Sequence, residues 1–321
     1  MDEKLRIVFF GTPEFAVASL DMLMKNNYDV VGIVTAADKP AGRGLELKFS
    51  AVKEYAMSKN ISVLQPENLK SEEFLSQMKE LNPNLGIVVA FRKLPKKVWS
   101  FPSLGTFNLH ASLLPHYRGA APINWAIING EKESGVTTFF LDDEIDTGKI
   151  ILRAKENIRE EDNAGDLYER LMKDGADLML KTVRAIESGN YTPEDQLTYL
   201  KPSEKPKLAP KIFKEDCKIN WKKKAEDVYD FIRGLSPYPT AWTEVKKENE
   251  ILSLKIFSAS KEIVNHQNEL GSIQTDGKLF VKIAVKEGFI NLLELQLAGR
   301  KKMNIEEFLR GFNFNEWKII L

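Results

Sequence analysis

The chain has 321 residues, 43% of them hydrophobic, with 46 Lys and Arg balancing 46 Asp and Glu, and a single cysteine, Cys217. That length holds two domains, each able to bury its own core, while one cysteine excludes an internal disulfide and a cysteine-based zinc centre. The balance hides an asymmetry: residues 201–321 carry 22 basic against 17 acidic residues, an excess that suits a polyanionic partner but is also common on a solvated surface.

Met1 to Lys4 lead straight into a short apolar run, without the longer hydrophobic region of a signal peptide, and no stretch approaches membrane-spanning length. A cytoplasmic protein with no membrane partner is expected. Leu5 to Phe10 predicts a strand ended by Gly11-Thr12-Pro13, after which Phe15, Ala18 and Met22 recur at helical spacing, with Thr12 as N-cap and Pro13 in the first turn. Asp29 to Thr35 predicts a strand, Ser50 to Asn60 a helix, Ser62 to Leu64 a short strand, Ser71 to Leu81 a helix, and Leu85 to Ala90 and Gly105 to His110 two more strands. Pro122 to Ile128 reads as a helix, Val136 to Leu141 and Lys149 to Ala154 as strands, and Gly165 to Ser188 as a long amphipathic helix. Apolar strands alternating with helices predict a doubly wound, Rossmann-like α/β fold with a mostly parallel sheet, whose ligands bind at the carboxyl ends of the strands.

Gly189 to Pro210 holds four prolines among many charged residues and reads as a linker, so the expected division is a catalytic domain over 1–189, a linker over 190–208 and a second domain over 209–321. Beyond it a helix over Ala225 to Leu235 stops at Ser236-Pro237-Tyr238-Pro239. Five short strands follow, over Ala241 to Val245, Leu252 to Ser258, Gly271 to Thr275, Lys278 to Val285 and Phe289 to Leu297, with turns at Asp276-Gly277 and Glu287-Gly288. Alternating faces in short strands predict a small OB-like β-barrel.

Chemistry concentrates around Asn108 and His110, which leave the same face of their strand because they are two residues apart. An amide can hold an oxyanion while an imidazole moves a proton. The pair precedes Ser112-Leu113-Leu114-Pro115-His116-Tyr117-Arg118-Gly119, and Asp146 follows in Leu141-Asp142-Asp143-Glu144-Ile145-Asp146-Thr147-Gly148. Taken singly, an Asn-x-His pair is more often structural and Asp-Thr-Gly an ordinary turn. His116 lies in a loop, and His266 sits among Asn265, Gln267 and Asn268 as in a solvated loop, so neither is assigned a catalytic role. Gly11-Thr12-Pro13 lacks the spaced glycines of a dinucleotide site, which argues against NAD, and no P-loop is present.

In order and spacing, Asn108-x-His110, Ser112 to Pro115 and Asp146 resemble the folate-dependent formyltransferases. The resemblance implies Asn108, His110 and Asp146 as the catalytic trio and Ser112, Leu113, Leu114 and Pro115 as the folate-binding segment. It places Phe91, Arg92 and Leu94 against the pterin and adds Asp142 to the folate site. The family usually has Ala, an aromatic residue and Gly before a run to Leu-Pro. This chain reads Ala90-Phe91-Arg92-Lys93-Leu94-Pro95, one residue shorter and without the glycine that permits a positive φ.

Asp38 to Lys48 is a Gly-rich basic insertion, and alone it would read as a surface loop. It resembles the loop that methionyl-tRNA formyltransferases insert toward the initiator tRNA acceptor stem, with Arg43 at the position of a tRNA-contacting arginine and Lys39 and Lys48 as further contacts. Ala209 to Ile212, Asp227 to Arg233, Ser236 to Pro239 and Leu297 to Met303 resemble that family's second domain, which implies tRNA contacts at Arg300, Lys301 and Lys302.

The expected reaction moves a formyl group from 10-formyltetrahydrofolate to the α-amine of methionyl-initiator-tRNA, in a monomer and without a metal. Asn108 and His110 would face the oxyanion, and Asp146 would accept from His110 or order a water. Two alternatives remain open: a degenerate domain that binds RNA without catalysis, and a formyltransferase for an amino-sugar nucleotide.

Overall fold

The architecture follows from the apolar runs. In the computed structural model, which describes residues 4–41 and 46–321, the chain divides into two compact units: Met1–Gly119 with Gly135–Glu156 and Glu169–Leu208, and Ala120–Ser134 with Asn157–Tyr168 and Ala209–Leu321.

The first unit is built on β1 (Arg6–Gly11), whose Ile7, Val8, Phe9 and Phe10 are all fully buried, as only a strand covered on both faces allows. It is followed by β2 (Asp29–Val34), the short pair β3 (Lys39–Ala41) and β4 (Glu46–Lys48), β5 (Val63–Leu64), β6 (Leu85–Val89), β7 (Thr106–His110), β8 (Arg118–Gly119), β9 (Glu133–Phe140) and β10 (Ile150–Asn157). The main sheet runs β10-β9-β7-β6-β1-β2-β5. Ladders β1/β2, β1/β6, β2/β5 and β6/β7 are parallel, and β9 reverses against β7.

Helices α1 (Glu14–Lys25), α2 (Ala51–Ser58), α3 (Glu72–Leu81) and the single turn α4 (Lys96–Trp99) connect the parallel strands. Ser50 and Ser71 cap α2 and α3, their hydroxyls accepting from the amides of Lys53 at 3.1 Å and Phe74 at 3.3 Å. The expected Thr12 cap is corrected: Pro13 occupies the N-cap of α1 with no side-chain hydrogen bond, and its carbonyl accepts from Ala16 N at 3.0 Å. One face of the sheet buries Val8, Phe10, Val34 and Val88 against Phe74, Met78 and Val98. Further along the chain, α5 (Pro122–Ile128) and the long α6 (Ala164–Ser188) follow. Gly175 of α6 lies so near β7 that a Cβ would stand 3.0 Å from Leu109 Cδ2, and Thr182 Oγ1 bonds Thr138 Oγ1 at 2.8 Å.

Two expectations change. The insertion is a hairpin at its base, with β3 and β4 antiparallel and Lys39 opposite Lys48; Arg43 lies outside the described residues. The stretch read as a linker groups with the first unit. Its amide at Glu194 bonds Ile150 O at 2.9 Å, the Ile150 amide returns a bond to Glu194 O at 2.8 Å, and Asp195 caps a 3-10 turn over Gln196–Tyr199. Composition signals a break in regular structure and is blind to such main-chain pairing.

The second unit begins with α5, whose Asn124 Nδ2 donates to Gly234 O at 2.8 Å in α7 (Ala225–Gly234). Gly234 itself faces Ile128 at a distance no Cβ tolerates. After β11 (Leu208–Ala209) come β12 (Ala241–Lys247), β13 (Glu250–Ile263), β14 (Ile273–Thr275), β15 (Val281–Val285), β16 (Gly288–Leu297), β17 (Met303–Asn304), α8 (Ile305–Leu309) and β18 (Lys318–Ile319). The antiparallel order is β14-β15-β16-β13-β12-β18, with β17 on β16. Register shifts at Ile256/Ser258 and Ser258/Ala259 let the 14-residue β13 curl. Gly271, just before edge strand β14, lies against Leu321 and Ile319 of the other edge, so the barrel is nearly closed. Its core holds Trp221, Val245, Leu254, Ile256, Ile283 and Leu295, with the Trp221 indole N–H satisfied by Thr243 Oγ1 at 2.9 Å. Among the described residues no helix is long and apolar enough to cross a membrane.

Candidate active site

Strand β7 ends at His110, at the carboxyl edge of the sheet, and its alternation puts Asn108 and His110 on one face. Asn108 pairs in register with Val88 and Phe139, and His110 with Thr137. The Oδ1 of Asn108 is buried and has no hydrogen-bond partner. An amide left so costs about 1–3 kcal/mol, a cost that a bound ligand removes.

His110 is buried, and its Nε2 lies 2.8 Å from Tyr117 O. A carbonyl only accepts, so Nε2 carries the hydrogen and the neutral ring keeps its lone pair on Nδ1. That Nδ1 is 3.9 Å from Asp146 Oδ2, beyond hydrogen-bond reach yet close enough to pair charges once the ring is protonated. Asp146 Oδ2 instead accepts from Gly119 N at 2.9 Å. Of the two expected arrangements, Asp146 accepting from His110 or ordering a water, the direct bond is not made at 3.9 Å, and main-chain groups of Tyr117 and Gly119 anchor the two side chains.

The Ser112 to Pro115 segment reaches the same strand end. Thr137 Oγ1 donates to Ser112 O at 2.6 Å and accepts from Leu114 N at 3.2 Å, while Ser112 Oγ donates to His116 O at 2.7 Å. Ser112 and Leu114 are fully buried, so their side chains shape the segment from beneath. Leu113 packs beside Gly135, where a Cβ would stand 2.6 Å from Leu113 Cδ2. His116 accepts from Lys207 N at 3.3 Å through Nδ1 and has Nε2 3.4 Å from Glu204, which anchors its ring.

In the loop after β6, the left-handed backbone falls on Ala90, at φ +48, and none of Phe91 to Pro95 has a positive φ. The missing glycine is therefore not needed on this path. Phe91 lies 5.8 Å from the Phe10 ring, Leu94 is buried in the core, and Arg92 donates to Glu67 O at 2.8 Å and to Pro66 O. Arg92 thus ties the loop to 66–67. Asp142 Oδ1 accepts from Thr147 Oγ1 at 2.7 Å and Glu144 N at 3.1 Å, holding the loop that carries Asp146.

Sequence reading missed three supports. Thr137 braces the Ser112 segment, Gln196 and Arg118 brace Asp146, and Lys53 with Gln65 grips Asp38 at the root of the insertion. The hydrogen bonds from Lys53 and then Gln65 hold the Asp38 carboxyl below its ordinary value. Lys48 is exposed at the end of β4. Arg300, Lys301 and Lys302 lie exposed on the turn after β16 in the second unit, and Lys302 is paired with Glu294 at 2.9 Å. His266 is not solvated: its Nε2 lies 2.9 Å from Val285 O and 2.8 Å from Gly288 O, and its ring is 4.4 Å from Phe289, so it pins the β15/β16 turn. Burial pushes the Cys217 thiol up, which removes it as a nucleophile.

The sequence matches the formyl transferase family over residues 5–183 and the C-terminal domain of formyl transferases over residues 211–313. It is 56% identical to the methionyl-tRNA formyltransferase of Flavobacterium johnsoniae and 51% identical to that of Bacteroides thetaiotaomicron, covering 98% of each chain in both cases. Among solved structures, a sugar 3N-formyltransferase, WlaRD, superposes with a TM-score of 0.64 at 22% identity, covering 93% of this chain and all of the other. HypX from Aquifex aeolicus, in complex with tetrahydrofolic acid, gives 0.63 at 17% over 99% of this chain and 51% of its own; at these identities the likeness concerns the fold. With two family domains matched in order along one chain, and with relatives above half identity over nearly the whole length of both chains, this protein belongs to the formyl transferase family.

Proposed function

We propose that the chain transfers the formyl group of 10-formyltetrahydrofolate to the α-amine of methionyl-initiator-tRNA. The observation that carries this reading is the assembly of Asn108, His110 and Asp146 at one strand end, in a chain more than half identical to methionyl-tRNA formyltransferases over nearly its full length. The main-chain groups of the Phe91 to Leu94 and Ser112 to Pro115 segments would hold the folate, and the orphaned amide of Asn108 would meet its formyl group. Bound there, the folate supplies an activated formyl group.

The chain's own residues do the rest. The attacking amine must be neutral, and after attack its nitrogen carries a proton that has to leave. Nδ1 of His110 is the open lone pair, because Nε2 is committed to Tyr117 O. As the ring takes up the proton, the Asp146 carboxylate at 3.9 Å balances the new charge. Asn108, turned to present its N–H₂, stabilises the tetrahedral oxyanion. The imidazolium then returns the proton to the departing folate nitrogen. Lys39, Arg43 and Lys48 of the insertion and Arg300, Lys301 and Lys302 of the barrel are the proposed tRNA contacts.

Substrate choice separates this reading from its rivals. Supplied with 10-formyltetrahydrofolate, the protein is expected to formylate methionyl-initiator-tRNA and to leave a nucleotide-linked amino sugar unmodified. Formylation of the sugar alone would move the assignment to that class, and binding of tRNA with no transfer to either acceptor would make it a non-catalytic RNA binder.

A further inference from the structure

Asp146 sits at φ +57, in the left-handed region that is uncommon for non-glycine residues but that aspartate enters more readily than most. The turn it occupies is spanned by Gln196, a residue fifty positions away and 2% exposed. Its Nε2 donates to Asp146 O at 3.0 Å and to Gly148 O at 2.8 Å, spanning the turn that carries the carboxylate. Its Oε1 accepts from two nitrogens of Arg118, Nε at 3.1 Å and Nη2 at 2.7 Å, which fixes which end of the amide faces which way.

Three consecutive residues therefore touch three parts of the reaction centre. Tyr117 O holds the His110 ring, Arg118 holds Gln196, and Gly119 N holds the Asp146 carboxylate. Gly119 has φ +125, a backbone conformation that admits only glycine, and a Cβ on Gly148 would collide with Phe140 O. The path of both segments is thus fixed, and they are joined twice: directly by Gly119 N on the Asp146 carboxylate, and through the Gln196 amide. We propose that Gln196, oriented by Arg118, is a positioning residue that sets the distance and direction of the Asp146 carboxylate relative to His110.

The inference rests on the formyl-transfer reading of the same site, and its test separates the two. Gln196→Ala is expected to lower kcat for formyl transfer by about tenfold to a hundredfold, the size of loss that a misplacement near 1 Å produces, with KM for both substrates within about threefold. Gln196→Glu keeps the volume and the Arg118 contact but turns an acceptor toward both carbonyls, so its kcat is expected to fall as far as that of Gln196→Ala. A Gln196→Glu enzyme with wild-type kcat would overturn the inference. So would kcat and both KM values moving together with the thermal midpoint, or failure of both variants to fold, since each marks a purely structural role. An inactive wild type would instead bring down the formyl-transfer reading and this inference with it.

Discussion

Main-chain groups, rather than one another, hold two members of the proposed trio in place. His110 is fixed through Tyr117 O, Asp146 through Gly119 N, and Asn108 keeps an unpartnered amide oxygen. Asp146→Asn preserves the side-chain oxygen that Gly119 N needs and removes only the charge, so turnover is expected to drop roughly a hundredfold at unchanged stability. Steady-state kinetics beside a thermal melt would check this, and wild-type turnover in a folded Asp146→Asn protein would remove the carboxylate from the chemistry. Asn108→Ala is expected to cost about a hundredfold to a thousandfold in kcat with little change in KM, as for loss of one oxyanion donor. The sequence made these three residues legible because a period-two pair and a turn aspartate carry their chemistry in their types. Gln196 and Thr137 were invisible there: each acts on carbonyls or amides far along the chain, and nothing about a lone Gln or Thr announces such a partner.

At the scale of elements, the strands and helices of the first unit follow their apolar periodicity, whereas the two loops that frame the site do not. The insertion resembles a plain loop in sequence because its glycines and charges hide a short ladder, and its root is held by Asp38 with Lys53 and Gln65. Asp38 has a depressed folded value, so its contribution is present above the ordinary value of 3.8 and is lost as pH falls through the lower folded value. Amide exchange in β3 and β4 is therefore expected to speed up on acidification below 3.8, and Asp38→Asn should reproduce that loosening at neutral pH. Unchanged exchange in Asp38→Asn would show that the ion pair does not hold the hairpin. In the loop after β6, the positive φ falls on Ala90, before Phe91, and Arg92 fastens the loop to 66–67. Arg92→Ala is expected to raise KM for the folate several-fold while kcat stays near wild type, since uniform binding is what a looser loop loses; an equal loss in kcat would place Arg92 in the chemistry itself.

Over the whole molecule, the basic excess of residues 201–321 and the exposed turn at Arg300 to Lys302 point to a polyanion, and the ion pair with Glu294 leaves Lys301 with more of its charge to offer than Lys302. Lys301→Ala is expected to weaken initiator and elongator tRNA alike and to reduce the slope of log affinity against log salt by just under one, as for one lost phosphate contact. A selective loss for initiator tRNA would instead make Lys301 a specificity contact. The strand count of the barrel was mostly legible from alternation, but β17, α8 and β18 were not, being too short to show a period. Nor did composition reveal that 120–134 and 157–168 group with the second unit, because that grouping rests on contacts such as Asn124 to Gly234 that join residues more than a hundred positions apart.

Single-turnover formylation tests the central claim most directly: enzyme in excess over methionyl-initiator-tRNA, saturating 10-formyltetrahydrofolate, and wild type run beside His110→Ala. The account requires formyl-methionyl-tRNA from the wild type and a rate roughly a hundredfold or more lower from a folded His110→Ala protein. No product from the wild type, or equal rates from the two proteins, would contradict it.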